Sequence, residues 1–321
     1  MTSDVRWGVL GCAEIAVRRL IPAMHAAQGN TVVAIGSRDL ERAQATAHQL
    51  AIPHAYGSYA AVLEDPDVDA IYIPLPNSLH AEWTIRAAEA GKDVLVEKPM
   101  APTVAECERM VAAAQAAGVR LMEAFMYRFH PQHALVRELI AAGAIGAVRM
   151  VRSAFCVRMQ RPPTDIRFSP DLGGGSLLDV GVYAIDAVRW LLGADPTTVR
   201  GSLVLDAHGV DMSAAGILSF GDDVLATVTS SFVANGGGSY EVIGTDGTIT
   251  VHQAFTHPPG RPPGVTWADQ SREFPPDLDQ YQLMLEAFAA AVQRNAPAPF
   301  AADAGVGNIR VIESLRMSPR P

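Results

Sequence analysis

Five short runs rich in β-branched residues punctuate the first 125 residues: Val5–Leu10, Thr31–Ile35, Val68–Ile73, Val94–Val96 and Val119–Met122. Between them lie stretches that read as helices, from Ala16 to about Ala27, Asp39 to about Leu50, Asn77 to Ala90 and Thr103 to Gly118. Strands that alternate with helices are joined by crossovers, so successive strands run parallel and helices cover the sheet. His54–Tyr56 adds a brief further strand. Asn77 and Thr103 are cap-forming residues at helix starts, Asp39 is placed to cap another, and Gly91 and Gly118 mark helix ends.

The pattern changes near residue 126. His130–Ala142 is helical and Val148–Val157 alternates as a strand does. The turn Gly173-Gly174-Gly175 leads into a helix from Ser176 to about Leu192. Strand-like runs follow at Val199–Leu205, Ser213–Phe220, Val224–Phe232, Tyr240–Ile243 and Thr248–His252, some joined by turns such as Gly221-Asp222 and Asp246-Gly247. Short turns between successive strands imply a mostly antiparallel sheet. Leu278–Arg294 reads as a final amphipathic helix, and 258–264 as a proline-rich loop. Two domains are expected: an α/β domain with a parallel sheet over 1–125, and an α+β domain on a mostly antiparallel sheet over 126–321.

Composition narrows the function. A net charge of −9 argues against a general nucleic-acid surface. The three cysteines, Cys12, Cys107 and Cys156, are far apart and form no metal-ligand spacing with histidine, so neither a disulfide framework nor a metal site is expected. No segment is long and apolar enough to span a bilayer and no secretory leader is evident, so the expectation is a soluble, cytoplasmic protein without membrane partners.

The first strand runs into Gly11-Cys12-Ala13-Glu14-Ile15-Ala16. This fits the dinucleotide fingerprint of a Rossmann domain, with Gly11, Ala13 and Ala16 at its three positions. Gly11 permits the tight turn, Ala13 is a small departure from glycine, and Ala16 lets the helix pack on the strand. Amides at the helix start suit a pyrophosphate. At the end of the second strand, an NAD site usually places a carboxylate. This chain has Ser37-Arg38 there, a hydroxyl and a guanidinium suited to a 2′-phosphate, so NADP(H) is expected in preference to NAD(H). Asp39 comes one residue late. The run Val94–Val96 passes directly into Glu97-Lys98-Pro99, which places Lys98 outside the carboxyl end of a parallel strand, where such sheets bind ligands.

These motifs occur in a fixed order with Pro74-Leu75-Pro76-Asn77 and His80, with Met122–Pro131, and with Gly173–Tyr183. Together they resemble the glucose–fructose oxidoreductase/inositol dehydrogenase (Gfo/Idh/MocA) family over essentially the whole chain. The branch it resembles holds the NADP-dependent D-xylose dehydrogenases, dihydrodiol dehydrogenases and sugar 3-ketoreductases. The resemblance implies Lys98, Asp179 and Tyr183 as catalytic residues, with tyrosine where inositol dehydrogenases have histidine. It implies cofactor contacts from Gly11, Cys12, Ala13, Glu14, Ile15, Ser37, Arg38, Pro74, Asn77, His80, Glu97 and Lys98. Tyr127, Arg128 and Arg167 are further substrate-binding candidates, with Asp165 and Asp186 beside them. The resemblance also implies a homodimer or homotetramer formed through the open sheet face.

Hydride transfer from a carbinol must be matched by loss of the hydroxyl proton. A phenol titrates near pKa ~10 in water, too high for an efficient base, and a neighbouring ammonium lowers it. The expected activity is NADP-dependent oxidation of an aldose at C1, D-xylose-like, with reduction of a nucleotide-linked 3-ketosugar as the alternative. Two other classes compete: a glycosidase that uses bound NAD transiently, and a non-enzymatic dinucleotide sensor. Ser37-Arg38 weighs against the first, and the intact Lys98, Asp179 and Tyr183 against the second.

Overall fold

The structure, a computed structural model, describes residues 4–160, 165–257 and 262–318. It divides into two units, one of residues 1–126 and 279–306, the other of 127–278 and 307–321. Part of the expected loop at 258–264 lies outside the described residues.

The first unit holds six parallel strands: β1 (Val5–Leu10), β2 (Asn30–Gly36), β3 (His54–Tyr56), β4 (Ala70–Ile73), β5 (Asp93–Val96) and β6 (Leu121–Glu123). Their order is β3-β2-β1-β4-β5-β6. Every residue of β4 and β5 is buried, as strands covered on both faces require. The connecting helices are α1 (Ile21–Ala26), α2 (Leu40–Gln49), α3 (Tyr59–Glu64), α4 (His80–Glu89) and α5 (Val104–Ala117). Asp39 caps α2 by accepting from the Arg42 amide, and Thr103 caps α5 from the Glu106 amide. Asn77 is not the cap of α4: it opens a 3-10 turn, Asn77–Leu79, and Leu79 holds the cap position without a side-chain bond. The short helix α3 was not foreseen. It fits because Val62 lies over Gly8 and Gly36, where an added Cβ would stand 2.6 Å from a Val62 methyl in each case.

The second unit starts with α6 (Pro131–Ala141) and β7 (Val148–Cys156). A π-helical stretch, Leu177–Gly181, continues into α7 (Val182–Leu192), so the helix expected from Ser176 starts with a wider turn. Then come β8 (Thr198–Leu205), β9 (Asp211–Phe220), β10 (Val224–Ser231), β11 (Gly237–Gly244), β12 (Thr248–Val251), β13 (Gly264–Trp267) and β14 (Gln270–Glu273). The eight-stranded sheet runs β14-β13-β12-β11-β7-β10-β9-β8, with β7 and β10 paired in parallel. Helix α7 packs against β7, β10 and β11. Val204, Ile217 and Leu225 are exposed, at 63%, 55% and 46%.

The helix read at the C-terminal side, α8 (Gln280–Gln293), belongs to the first unit rather than to the second. The Phe288 ring stands 5.4 Å from that of Trp7 on β1, and both are fully buried. A last helix, α9 (Ala304–Met317), was hidden in the sequence by Gly305 and Gly307, poor helix formers that here allow close approach. A Cβ at Gly305 would meet Glu123 and Met100, and one at Gly307 would overlap Arg189.

Candidate active site

The order of the parallel sheet reverses between β1 and β4, and such a switch point is where open α/β sheets bind ligands. At the end of β1 the chain turns at Gly11, whose φ is +104° and whose added Cβ would stand 3.0 Å from Leu75. Only glycine suits both conditions. Cys12, Ala13 and Glu14 then lead into a π-helical stretch, Ala16–Leu20, which continues as α1. The first amides of a helix have no partner within it, and with the helix dipole they form an anion site. Ala13 and Ile15 are half-buried, and Cys12 is buried with its Sγ 3.9 Å from the Arg42 carbonyl. Glu14 points to solvent and pairs with Arg18 at 2.8 Å, an exposed pair of little energetic weight.

Ser37 lies at the end of β2, 8% exposed, and its Oγ accepts from the Asp39 amide. Arg38 is exposed beside it. Asp39 is turned into the cap of α2, where its Oδ1 accepts from the Arg42 amide. Arg42, not foreseen as a site residue, donates from Nη2 to the Cys12 carbonyl at 2.7 Å. It ties the start of α2 to the fingerprint turn, and its only sequence signal is a position one helical turn after Arg38.

At the ends of β4 and β5 the loops are braced from within. His80 is fully buried, its Nδ1 2.9 Å from the Pro99 carbonyl and its Nε2 2.8 Å from the Leu75 carbonyl. Burial depresses its pKa, so the ring is neutral and its single proton serves one of the two carbonyls. His80 is thus packed between the Pro74–Asn77 and Glu97–Pro99 loops and can donate to only one of them, and its fully buried ring does not make the expected direct contact with a ligand. Tyr72 donates to Glu97 Oε1 at 2.7 Å, and the Lys98 amide donates to Glu97 Oε2 at 3.3 Å. Glu97 and Lys98 are half-buried, and the Lys98–Pro99 bond is cis.

In the second unit, Asp179 sits in the π-helical stretch and Tyr183 in the first turn of α7. Arg167 Nε is 3.1 Å from Asp179 Oδ2, and Arg167 Nη1 is 3.3 Å from Asp165 Oδ2. The Asp179 carboxylate, then Asp165, hold the guanidinium above its ordinary pKa. Tyr183 is 5% exposed within an aromatic cluster, its ring 5.6 Å from Phe155, 5.5 Å from Phe255 and 5.9 Å from Tyr127.

Residues 5–125 match the family model described as an oxidoreductase family with an NAD-binding Rossmann fold. Residues 133–250 match the GFO/IDH/MocA C-terminal domain. The chain belongs to the GFO/IDH/MocA oxidoreductase family. An NADP-dependent D-xylose 1-dehydrogenase of Haloferax volcanii is 41% identical over 96% of this chain and 95% of its own. A dTDP-3,4-didehydro-2,6-dideoxy-α-D-glucose 3-reductase of Actinomadura kijaniata is 39% identical over 90% and 88%. The solved structure of a 3-ketoreductase from the same organism, in complex with NADP and TDP-benzene, superposes with a TM-score of 0.90 at 36% identity, covering 99% of this chain and 98% of that one.

As a GFO/IDH/MocA oxidoreductase, the chain gathers some of the expected residues and withdraws others. Gly11, Ser37 and Arg38, with Arg42 added, suit a phosphorylated dinucleotide in kind: a turn that only glycine permits, a buried hydroxyl at the end of β2, and two arginines on the segment that follows it. Arg167, Asp165 and Asp179 come together. Tyr127 and Arg128 do not line an open site. Both are buried on Asp186, which accepts from the Tyr127 hydroxyl, from Arg128 Nε at 2.8 Å and from Asn308 Nδ2 at 2.7 Å. Burial first, then Asp186, raises the Tyr127 pKa, which fits a phenol used as a fixed donor rather than as a base. Their expected substrate contacts are corrected to a structural role that joins the 126–129 turn, α7 and α9.

Proposed function

We propose that this protein is an NADP-dependent sugar dehydrogenase that oxidises an aldose of D-xylose type at C1. The observation that carries the cofactor half is the end of β2, where Ser37 and Arg38 stand and Asp39 is committed to capping α2. The substrate half is supported by the likeness to the D-xylose enzyme of Haloferax volcanii over nearly the whole chain. Bound NADP supplies the hydride acceptor. In this reading the amides of Cys12, Ala13 and Glu14 hold the pyrophosphate, and Ser37, Arg38 and Arg42 hold the 2′-phosphate. Lys98 binds the substrate oxygen and stabilises alkoxide character as the hydroxyl proton leaves. Tyr183, as its phenolate, takes that proton and becomes the phenol, and Asp179, fixed by Arg167, accepts from a sugar hydroxyl.

A second reading, reduction of a nucleotide-linked 3-ketosugar, is favoured by the likeness to the 3-ketoreductase in complex with NADP and TDP-benzene. In that direction Tyr183 donates the proton. A steady-state assay of reduced-nicotinamide absorbance separates the two. D-xylose, other aldoses, polyols and trans-dihydrodiols are screened with NADP and NAD, and dTDP-linked ketosugars with NADPH. Aldose turnover with NADP preference is the expected result; turnover confined to the nucleotide-linked substrate selects the second reading. Lys98→Met is expected to lower turnover by orders of magnitude, about 10²-fold or more for a lost charge-stabilising group. Wild-type rates in that variant refute the assignment.

A further inference from the structure

The helix that carries Asp179 and Tyr183 starts without a cap of its own. Ser176 holds the N-cap position in helical backbone and makes no capping bond. The acceptor comes from another element. Asp211, the first residue of β9, is 3% exposed, and its Oδ2 accepts from the Leu177 amide at 2.6 Å and from Ser176 Oγ at 3.0 Å. Ser176 Oγ also meets Ser230 Oγ of β10 at 2.9 Å, and Arg316 of α9 reaches Asp211 Oδ1 at 3.4 Å.

The glycine turn is built to admit this carboxylate. Gly175 has φ +119°, and an added Cβ would overlap Asp211 Oδ1. The Gly174 and Gly175 amides donate to the Ser169 and Arg167 carbonyls, both at 2.9 Å. The same turn therefore fixes the backbone of Arg167, whose side chain holds Asp179. Further along, an added Cβ at Gly181 would stand 3.0 Å from Ser230 Cβ, so the helix is pressed close to β10. A local serine cap would leave the helix start free to slide with the glycine turn. A carboxylate that belongs to the sheet registers the helix to the sheet instead. This matters because the first turn is π-helical, a wider and less common geometry that recurs at functional sites.

We propose that Asp211 is a positioning residue for hydride transfer: it clamps the start of the catalytic helix to the sheet and so sets where the Tyr183 oxygen and the Arg167–Asp179 pair stand. The inference rests on the reading that Tyr183 carries the substrate proton.

The test compares Asp211→Ala, Asp211→Asn, Gly175→Ala and Tyr183→Phe in the full-length protein. The assay is NADP reduction with D-xylose or NADPH oxidation with a dTDP-linked 3-ketosugar, whichever the wild type turns over. Asp211→Ala is expected to lower kcat about a hundredfold, the scale of a 1 Å misplacement, while KM for NADP is unchanged. Gly175→Ala, which pushes on the same contact, lowers kcat in the same way. Asp211→Asn keeps an acceptor oxygen for Leu177 and restores most of the rate. The pH dependence of kcat shifts in Asp211→Ala and returns in Asp211→Asn, which loss of stability alone does not produce. Hydrogen exchange gives a readout apart from activity, with faster exchange confined to amides 177–183 in Asp211→Ala. If Asp211→Ala is folded and keeps wild-type kcat while Tyr183→Phe is inactive, the positioning role is overturned and the Tyr183 reading stands. If Tyr183→Phe keeps its rate, the Tyr183 reading falls and this inference with it.

Discussion

Replacing Asp186 with alanine should destabilise the second unit more than any single surface change. Asp186 is fully buried, and its partner Arg128 has a side chain only 6% exposed. The carboxylate takes donors from Arg128, Tyr127 and Asn308, so its removal takes an acceptor from a guanidinium, a hydroxyl and an amide at once. Breaking a buried ion pair from one side costs about 3–5 kcal/mol, because the surviving charge has lost its compensation. For a unit of this size each kcal/mol lowers Tm by about 2–4 °C, so a fall of about 6–20 °C is expected. Trp190, whose ring lies 5.5 Å from the Arg128 guanidinium carbon, makes fluorescence-detected urea unfolding a suitable assay alongside thermal melts. The companion variant, Asp186→Leu with Arg128→Met, removes both charges and should recover most of the loss, since a buried pair and an apolar replacement of similar volume are nearly equal in energy. A loss below about 1 kcal/mol in Asp186→Ala refutes this reasoning, because a buried group deprived of its partner costs at least that. So does a double variant that loses as much as the two single changes added together.

Acid should also destabilise the second unit. Burial, aided by His257, depresses the His130 pKa to about 3, and burial also depresses that of His133. The unfolded chain takes up these protons near pH ~6.5 and the folded chain does not, so stability is full above that value and is lost as pH falls towards about 3. His130 alone accounts for about 2 kcal/mol between neutral pH and pH ~5, and His130→Asn should make the pH dependence of urea midpoints shallower by one proton. Arg42→Ala frees the Cys12 carbonyl and removes a guanidinium from the proposed 2′-phosphate site; KM for NADP should rise about tenfold or more, with a smaller change for NAD, in initial-rate assays. The exposed Val204, Ile217 and Leu225 on the open sheet face predict self-association, so sedimentation should report a dimer or tetramer and Ile217→Glu a shift to monomer. A wild-type protein that sediments only as monomer removes that expectation.

The first unit was largely legible in its sequence because its signals are local. Continuous apolar runs marked strands, and Asp39, Thr103 and Gly118 marked helix ends through contacts within a few residues. What was missed depends on distant or unusual contacts. The β13–β14 hairpin turns at Ala268-Asp269, with Ala268 at φ +46°, where glycine or asparagine would have announced the turn. Helix α9 was masked by two glycines whose purpose lies in neighbours far along the chain. The π-helical starts near Ala16 and Leu177 have no periodicity that separates them from ordinary helix over five residues. In the candidate site, Gly11, Ser37 and Lys98 were legible as candidates because each stands at or just beyond a strand end. Tyr127, Arg128 and His80 were misjudged because their partners, Asp186 and two loop carbonyls, are set by tertiary packing. Asp211 carried no sequence signal, since its contacts with Ser176 and Leu177 span 35 and 34 residues.

The return of residues 279–306 to the first unit has a consequence for how this protein is made and recombined. A ribosome that has finished the six parallel strands has not yet synthesised Phe288, so Trp7 lacks this ring partner until nearly the whole chain has emerged. The nucleotide half of this enzyme is therefore not a portable cassette. A chimera cut near residue 126 would join one parent's sheet to another parent's covering helix, and exchanges between relatives should carry 279–306 together with 1–126.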